Sequence, residues 1–278
     1  MKKVTLLLIA GLFGGTLVAQ EFPQPSPSSK VEQTVGLTTI SLDYSRPGVN
    51  DRDIFGGLLT FGEIWRVGAN ACTKFTTSNE LTFGKTKVAP GTYALFAFPA
   101  KDGNWKVVLN SDTEQWGAGA YDESKNVMTI KVDAQKNSFN ESLIIELNNL
   151  ENSSAVLSIK WDKLRVDVPF TVDTDTQIEE SISAAIKKGE DLDKVYYNAA
   201  SYFHNTKKDE KMTTMYLEKS MAIAKSHKSL YLKATILHDS GNNKEAITVA
   251  EEAHEMAVKA DSMGWANYIK ENIEKWAK

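Results

Sequence analysis

Between Thr38 and Val172 the sequence breaks into short runs rich in Val, Ile, Thr and aromatic residues, separated by turn residues, with no helical period between them. That pattern points to antiparallel β architecture, because short connections join antiparallel neighbours whereas parallel pairs need long crossovers. The strand-like segments run 38–44, 74–77, 80–83, 87–88, 92–98, 105–110, 127–132, 142–147, 155–161 and 165–172, with a further one at 31–34. Asn79, Gly84, Pro90-Gly91, Asp102-Gly103, Asn148-Asn149 and Asp162-Lys163 punctuate them, and such residues suit tight turns. An antiparallel β-sandwich or barrel over 31–174 follows. In the segment 38–44, Thr38, Ile40, Leu42 and Tyr44 share one side and Thr39, Ser41 and Asp43 the other, the period of a half-buried strand. Pro90-Gly91-Thr92-Tyr93 is the sharpest turn signal, with Tyr93 placed to cap the corner.

Near Thr174 the composition changes to Ala, Glu, Lys, Met and Leu, all good helix formers, so 175–278 is expected to be an α-helical repeat domain. Asp175 or Thr176 begins a helix that Gly189 ends after Lys188. Tyr197, Ala200, Phe203 and His204 recur as Tyr231, Ala234, Leu237 and His238 at a shift of about 34 residues, the period of helix-pair repeats. Ala234, Leu237, Gly241, Ala246, Ala250 and Ala253 resemble the small, large and turn positions of tetratricopeptide repeats. The expected pairs are 191–205 with 210–225 and 229–239 with 244–259, closed by 262–277. Such stacks offer a groove to a protein partner, or else serve as a helical extension. His204 and His238, at one repeat position, read as a repeated packing role.

Lys2 and Lys3, an apolar run from Val4 to Leu12 and small residues up to Ala19 form a secretory signal peptide over 1–19. The run is short of the roughly 20 apolar residues of a membrane span, so cleavage after Ala19 and a periplasmic or secreted mature chain are expected, without a span. A Pro/Ser-rich leader follows over 20–30. A net charge of -4 provides no positive field for nucleic acid. Cys72, the one cysteine, reads as a small buried hydrophobe.

The stretch from Asp43 to Asn70 concentrates Arg46, Arg52, Arg66, Trp65 and a glycine series in a loop-rich crossing. Together with SPSSKVEQTVGLTTISLDYSRP, DRDIFGGL, GEIWRVGANACT, APGTYALF and NSDTEQWGAGAYDES, in that order, it resembles the exported bacterial family called domain of unknown function 2911. The resemblance covers about 25–172. It implies a β-rich exported domain and no particular activity.

The β region contains no histidine, and the chain has no paired CxxC, HExxH, phosphate-binding glycine loop or nucleophile elbow, so no cofactor or metal is expected. Arg46, Arg52 and Arg66 are the leading candidates, since three guanidinium forks could converge on one anion. The competing reading pairs each with Asp43, Asp51, Asp53 or Glu63. Trp65, Trp116 and Tyr121, beside Asn70, Asn110, Asp112 and Asp122, suit a carbohydrate cleft, or else anchor the core. A noncatalytic binder of a small anionic or carbohydrate ligand is the first expectation. The alternative is an envelope hydrolase of glycans or phosphoesters, using Arg66 and carboxylates such as Asp112 with Glu114 or Asp122 with Glu123.

Overall fold

The computed structural model describes residues 22–278; the expected signal peptide, 1–19, lies outside the described residues. The chain divides into a β unit ending at Asp173 and a helical unit, Thr174–Lys278.

In the β unit nine strands follow in sequence: β1 Ser28–Val35, β2 Thr38–Ser45, β3 Thr73–Thr77, β4 Leu81–Phe83, β5 Thr86–Val88, β6 Gly91–Phe98, β7 Asn104–Asn110, β8 Asn126–Asn148 and β9 Ser154–Val172. They pair antiparallel in the order β1-β2-β3-β6-β7-β8-β9-β4-β5. The sheet curls over one core: Tyr44 of β2 donates its hydroxyl to the Ile145 carbonyl of β8 and accepts from the Ile145 N–H, although these strands are not neighbours. Thr38, Ile40, Leu42 and Tyr44 all point into that core. The Tyr93 hydroxyl donates to the Ala89 carbonyl at 2.8 Å and fastens the corner before β6.

Two expected breaks between strands are absent, one of them the expected turn at Asp162-Lys163. The segments 127–132 and 142–147 form one strand, β8, and 155–161 and 165–172 form another, β9. Asp162 has φ 51 and stands opposite Asn140, where the β8–β9 register shifts. A bulge there bends the hairpin while the ladder continues, so the turn residues mark a kink instead of an end. The leader is shorter than 20–30 as well, because Ser28–Lys30 already pair with β2.

One part of the sheet is covered on both faces. Leu95, Ala97, Phe75, Val107 and Leu109 enter the main core. Alternate residues Ala94, Phe96 and Val108 pack with Cys72 on the outer face, under Ile64, Phe98, Ala118 and Tyr121. The expected burial of Cys72 is met, at 3% exposure.

The helical unit holds α1 Thr174–Lys188, α2 Leu192–Tyr202, α3 Glu210–Ile223, α4 His227–Asp239, α5 Asn243–Lys259 and α6 Met263–Trp276, with a π-helical turn, Phe203–Lys207, after α2. Side chains make sharp starts: Asp209 accepts from Met212 N–H at α3, and Ser226 and Ser229 form a reciprocal capping box at α4. Ala234, Ala246, Ala250 and Ala253 are fully buried, so these helices approach closely through small residues. The equivalent histidines differ in role: His204 pairs with Asp239, while His238 stacks on Trp276 at 4.6 Å and bonds Asn243.

Candidate functional site

The crossing from β2 to β3 is built in two halves. In the first, residues 47–49 dock on β8: Leu143 N–H donates to the Pro47 carbonyl, and Val49 N–H to Glu141. Arg46 donates from Nε to the Leu143 carbonyl at 2.8 Å. Arg52 closes its own turn, donating to the Val49 and Gly48 carbonyls at 3.0 and 2.7 Å. A tight turn follows, in which a Cβ at Gly57 would stand 2.4 Å from the Asp53 carbonyl oxygen. It seats Ile54 in the core and Phe55 against it.

The second half begins at Trp65, whose backbone exchanges both hydrogen bonds with Ala97 of β6. Its ring lies 5.7 Å from that of Trp161, with Phe55 and Trp105 edge-on, and it is 5% exposed. Trp65 is therefore a core anchor and presents no face to a ligand, which corrects the cleft expectation at that residue. Val67 is fully buried with φ 50, and its carbonyl accepts from the Thr73 hydroxyl at 2.6 Å. A β-branched residue in the left-handed region is strained, and such strain is concentrated at functional positions. Arg66 lies between these two fixed neighbours.

Downstream, the stretch 111–122 runs back along the crossing. Ala71 bridges to Trp116, Cys72 N–H donates to the Gln115 carbonyl, and Cys72 Sγ donates to the Thr113 carbonyl. Gly117, at φ 87, has one neighbour within 4 Å of an added Cβ: Nη1 of Arg66, at 3.1 Å. Any side chain there would strain the backbone and crowd the guanidinium.

None of the three arginines forms an ion pair with a carboxylate among the described residues. Arg46 and Arg52 donate to backbone carbonyls, which stand in place of the expected carboxylate clasp. Arg66 differs. Its Nε is buried, and among the described residues no group accepts from it.

The other candidates sort in the same way. Asn70 donates to Ser45 Oγ and the Ser26 carbonyl, tying the leader to β2. Tyr121 packs on Phe96 and Phe98, and its hydroxyl accepts from Asn126. Asp122 caps the turn Glu123–Lys125 by accepting from Ser124, and those hydrogen bonds hold its carboxyl below the usual range. The Lys125 ammonium does the same to Asp112, and Lys74 to Glu114. Trp116 is 76% exposed, the one candidate aromatic with a free face.

Gln115 escaped the sequence reading. It is 5% exposed, donates from Nε2 to the Asp112 carbonyl at 3.0 Å, and leaves Oε1 buried without a protein donor. A glutamine beside Thr113, Glu114 and Gly117 reads as surface, whereas in the structure its backbone pairs with Cys72 and its side chain is buried.

These residues fall within the family described as Protein of unknown function (DUF2911), whose match spans residues 26–170. The chain belongs to that family. Both the crossing and the stretch 111–122 lie inside the matched span, so the free arginine sits on the family's own scaffold. No curated protein and no solved structure matches the chain.

In the helical unit, a cavity of about 410 Å³ is lined by His204, Lys208, Glu210, Thr213 and Asp239. A second, more apolar one of about 480 Å³ lies between α3 and α4, against Leu217, Met221, Ala222, Ile236 and Leu237. Among the described residues, no cluster of three or more His, Cys, Asp or Glu is placed to hold a metal, and no helix is long and apolar enough to cross a membrane.

Proposed function

We propose that the chain is an exported, noncatalytic binding protein. Its β unit takes a small anionic or carbohydrate ligand at Arg66, and its helices, as tetratricopeptide-like repeats, contact a protein partner. The observation that carries this reading is Arg66, whose buried Nε has no hydrogen-bond partner among the described residues and whose Nη1 lies 3.1 Å from where a Cβ at Gly117 would stand. A guanidinium is always charged and has five donors, so a partly buried one without acceptors is matched by an oxyanion. The apolar groove between α3 and α4 supports the partner role. Export rests on the amino-terminal sequence pattern.

Hydrolysis draws less support. Asp112, Glu114 and Asp122 are each held ionised by a lysine or by hydrogen bonds, whereas a general acid at neutral pH needs a raised pKa. The test is a thermal-shift panel of acetate, sulfate, phosphate and galacturonate on the mature chain. Stabilisation by one or more anions, lost in both Arg66→Ala and Arg66→Lys, is expected. Equal stabilisation of Arg66→Ala would remove Arg66 from the site.

A further inference from the structure

Three segments of the helical unit line its cavity of about 410 Å³: the π-helical turn and its cap with His204 and Lys208, the first turn of α3 with Glu210 and Thr213, and the end of α4 with Ile236, Asp239 and Ser240. That volume falls within the roughly 300–1,000 Å³ of small-ligand sites, and π-helical turns recur at functional positions. In the charge run Lys207–Lys211, Lys207 pairs with Asp175, and the Asp209 carboxylate caps α3 at 3.0 Å from the Met212 N–H. Lys208 and Glu210, which line the cavity, are exposed and form no ion pair among the described residues. Both hydroxyls of the lining already donate, Thr213 to the Asp209 carbonyl at 2.6 Å and Ser240 to the Ile236 carbonyl at 2.8 Å. Their oxygens are left only to accept. His204 Nε2 stands 3.4 Å from Asp239 Oδ2, and burial pushes the imidazole below 6.5, so at neutral pH it leaves that carboxylate its charge.

The cavity therefore sets two carboxylates and two accepting hydroxyls against one ammonium, that of Lys208, with Ile236 as an apolar wall. An ammonium group has three donors and no acceptor, which suits the carboxylates and hydroxyls, while a carboxylate suits the lysine. We propose that the cavity binds a small zwitterion, an apolar α-amino acid or a short peptide. Its ammonium sits among Glu210, Asp239 and the two hydroxyls, its carboxylate on Lys208 and its alkyl side chain against Ile236. A metal ion does not take the ammonium's place, since among the described residues no three His, Cys, Asp or Glu are placed to hold one. The proposal goes beyond the reading of Arg66 and does not rest on it.

The experiment compares, by calorimetry on the mature chain at pH 7, leucine with isoamylamine, which lacks the carboxylate, with isocaproate, which lacks the ammonium, and with aspartate. Each missing group removes a charge-assisted hydrogen bond, so leucine is expected to bind at least ~10-fold more tightly than either analogue. Aspartate brings a second negative charge to a lining with two carboxylates and should not bind. The dipeptide Leu-Ala exceeding leucine would assign the site to peptides, and the reverse to free amino acids. Lys208→Asn, chosen because asparagine tolerates the left-handed backbone at that residue, φ 55, should bring leucine down to the affinity of isoamylamine. Glu210→Gln should weaken leucine and isoamylamine together.

Isoamylamine or isocaproate binding as tightly as leucine would overturn the zwitterion proposal, as would no binding of leucine or of Leu-Ala. Full leucine binding by both variants would overturn the assignment to this cavity. None of these outcomes bears on the anion panel that tests Arg66, so the two readings fail separately. The unmodified chain decides the main question, and the proposal stays testable even if a variant does not fold.

Discussion

In the β unit the largest fully buried side chains are aromatic and branched: Trp161, Phe75, Phe83, Phe96 and Phe170, with Ile40 and Leu42. In the helical unit the positions at 0% exposure are mostly alanines: Ala200, Ala234, Ala246, Ala250, Ala253 and Ala257. One unit fills its interior with large residues projected from a curled sheet, and the other brings its helix backbones together by leaving side chains out. The first is therefore most sensitive to truncation and the second to enlargement. Trp161→Ala should cost about 3–5 kcal/mol, because a ring packed on Trp65 and Phe55 leaves a cavity the rigid sheet cannot close. Urea denaturation followed by tryptophan fluorescence checks it; a loss under ~1 kcal/mol, below the range for such truncations, would mean the aromatic cluster is not a rigid core.

The helical unit should reverse that sensitivity. Ala250 belongs to one buried cluster with Leu230, Tyr231 and Ala234 of α4 and with Ala266 and Ile269 of α6. Ala250→Leu, although more hydrophobic, should destabilise by about 1–3 kcal/mol through overpacking. Ala250→Gly should cost only about 1 kcal/mol, the loss of helix propensity. Circular dichroism melts of the helical signal give both values. A stabilising leucine would show spare room and break the contrast between the units.

A smaller effect separates the units by pH. The β unit's sequence contains no histidine, while His204 and His227 in the helical unit are both pushed below their ordinary value of 6.5, chiefly by burial. For His204 the facing charges are Asp239 of α4, which partly opposes the shift, with Lys208 and Glu210 around the cavity. A depressed folded pKa means the unfolded chain binds the proton first. Stability is therefore complete above pH 6.5 and falls as the pH drops from there through the lower folded values. Helical melts between pH 7.5 and 5 should show this decline, and His204→Gln should lessen it, leaving the share of His227. A flat profile would mean that both imidazoles are open to water.

How much of this was legible beforehand depends on whether a property is local. Strand period, the change to helix at Thr174 and the alanine positions of α4 and α5 are written in neighbouring residues, and the structure has them. The merging of four expected strands into β8 and β9 was not legible, because Asp162 marks a bulge as readily as a turn until its partner Asn140 is known. The arginines show the limit more sharply. A guanidinium near four acids in sequence invites an ion pair, but Arg46 and Arg52 found carbonyls that only the docked loop brings within reach. Gln115 was missed because nothing in its own neighbourhood announces burial.

The smallest predicted effect on stability is the one that bears most on function. Arg46 and Arg66 belong to the same crossing and are both half-buried, yet among the described residues Arg46 has an acceptor for its Nε and Arg66 has none. Arg46→Ala strands the Leu143 carbonyl and should destabilise the β unit. Arg66→Ala removes no protein hydrogen bond and should stay within about 0.5 kcal/mol of the unmodified chain, or gain slightly as a poorly solvated charge disappears. Denaturation midpoints of the two variants, in buffer free of added anions, make the comparison. If Arg66→Ala falls as far as Arg46→Ala, the guanidinium is a brace like its neighbour. If it does not, a strained Val67 and a charge that contributes nothing to folding stand side by side, the expected signature of a group held ready for something outside the chain.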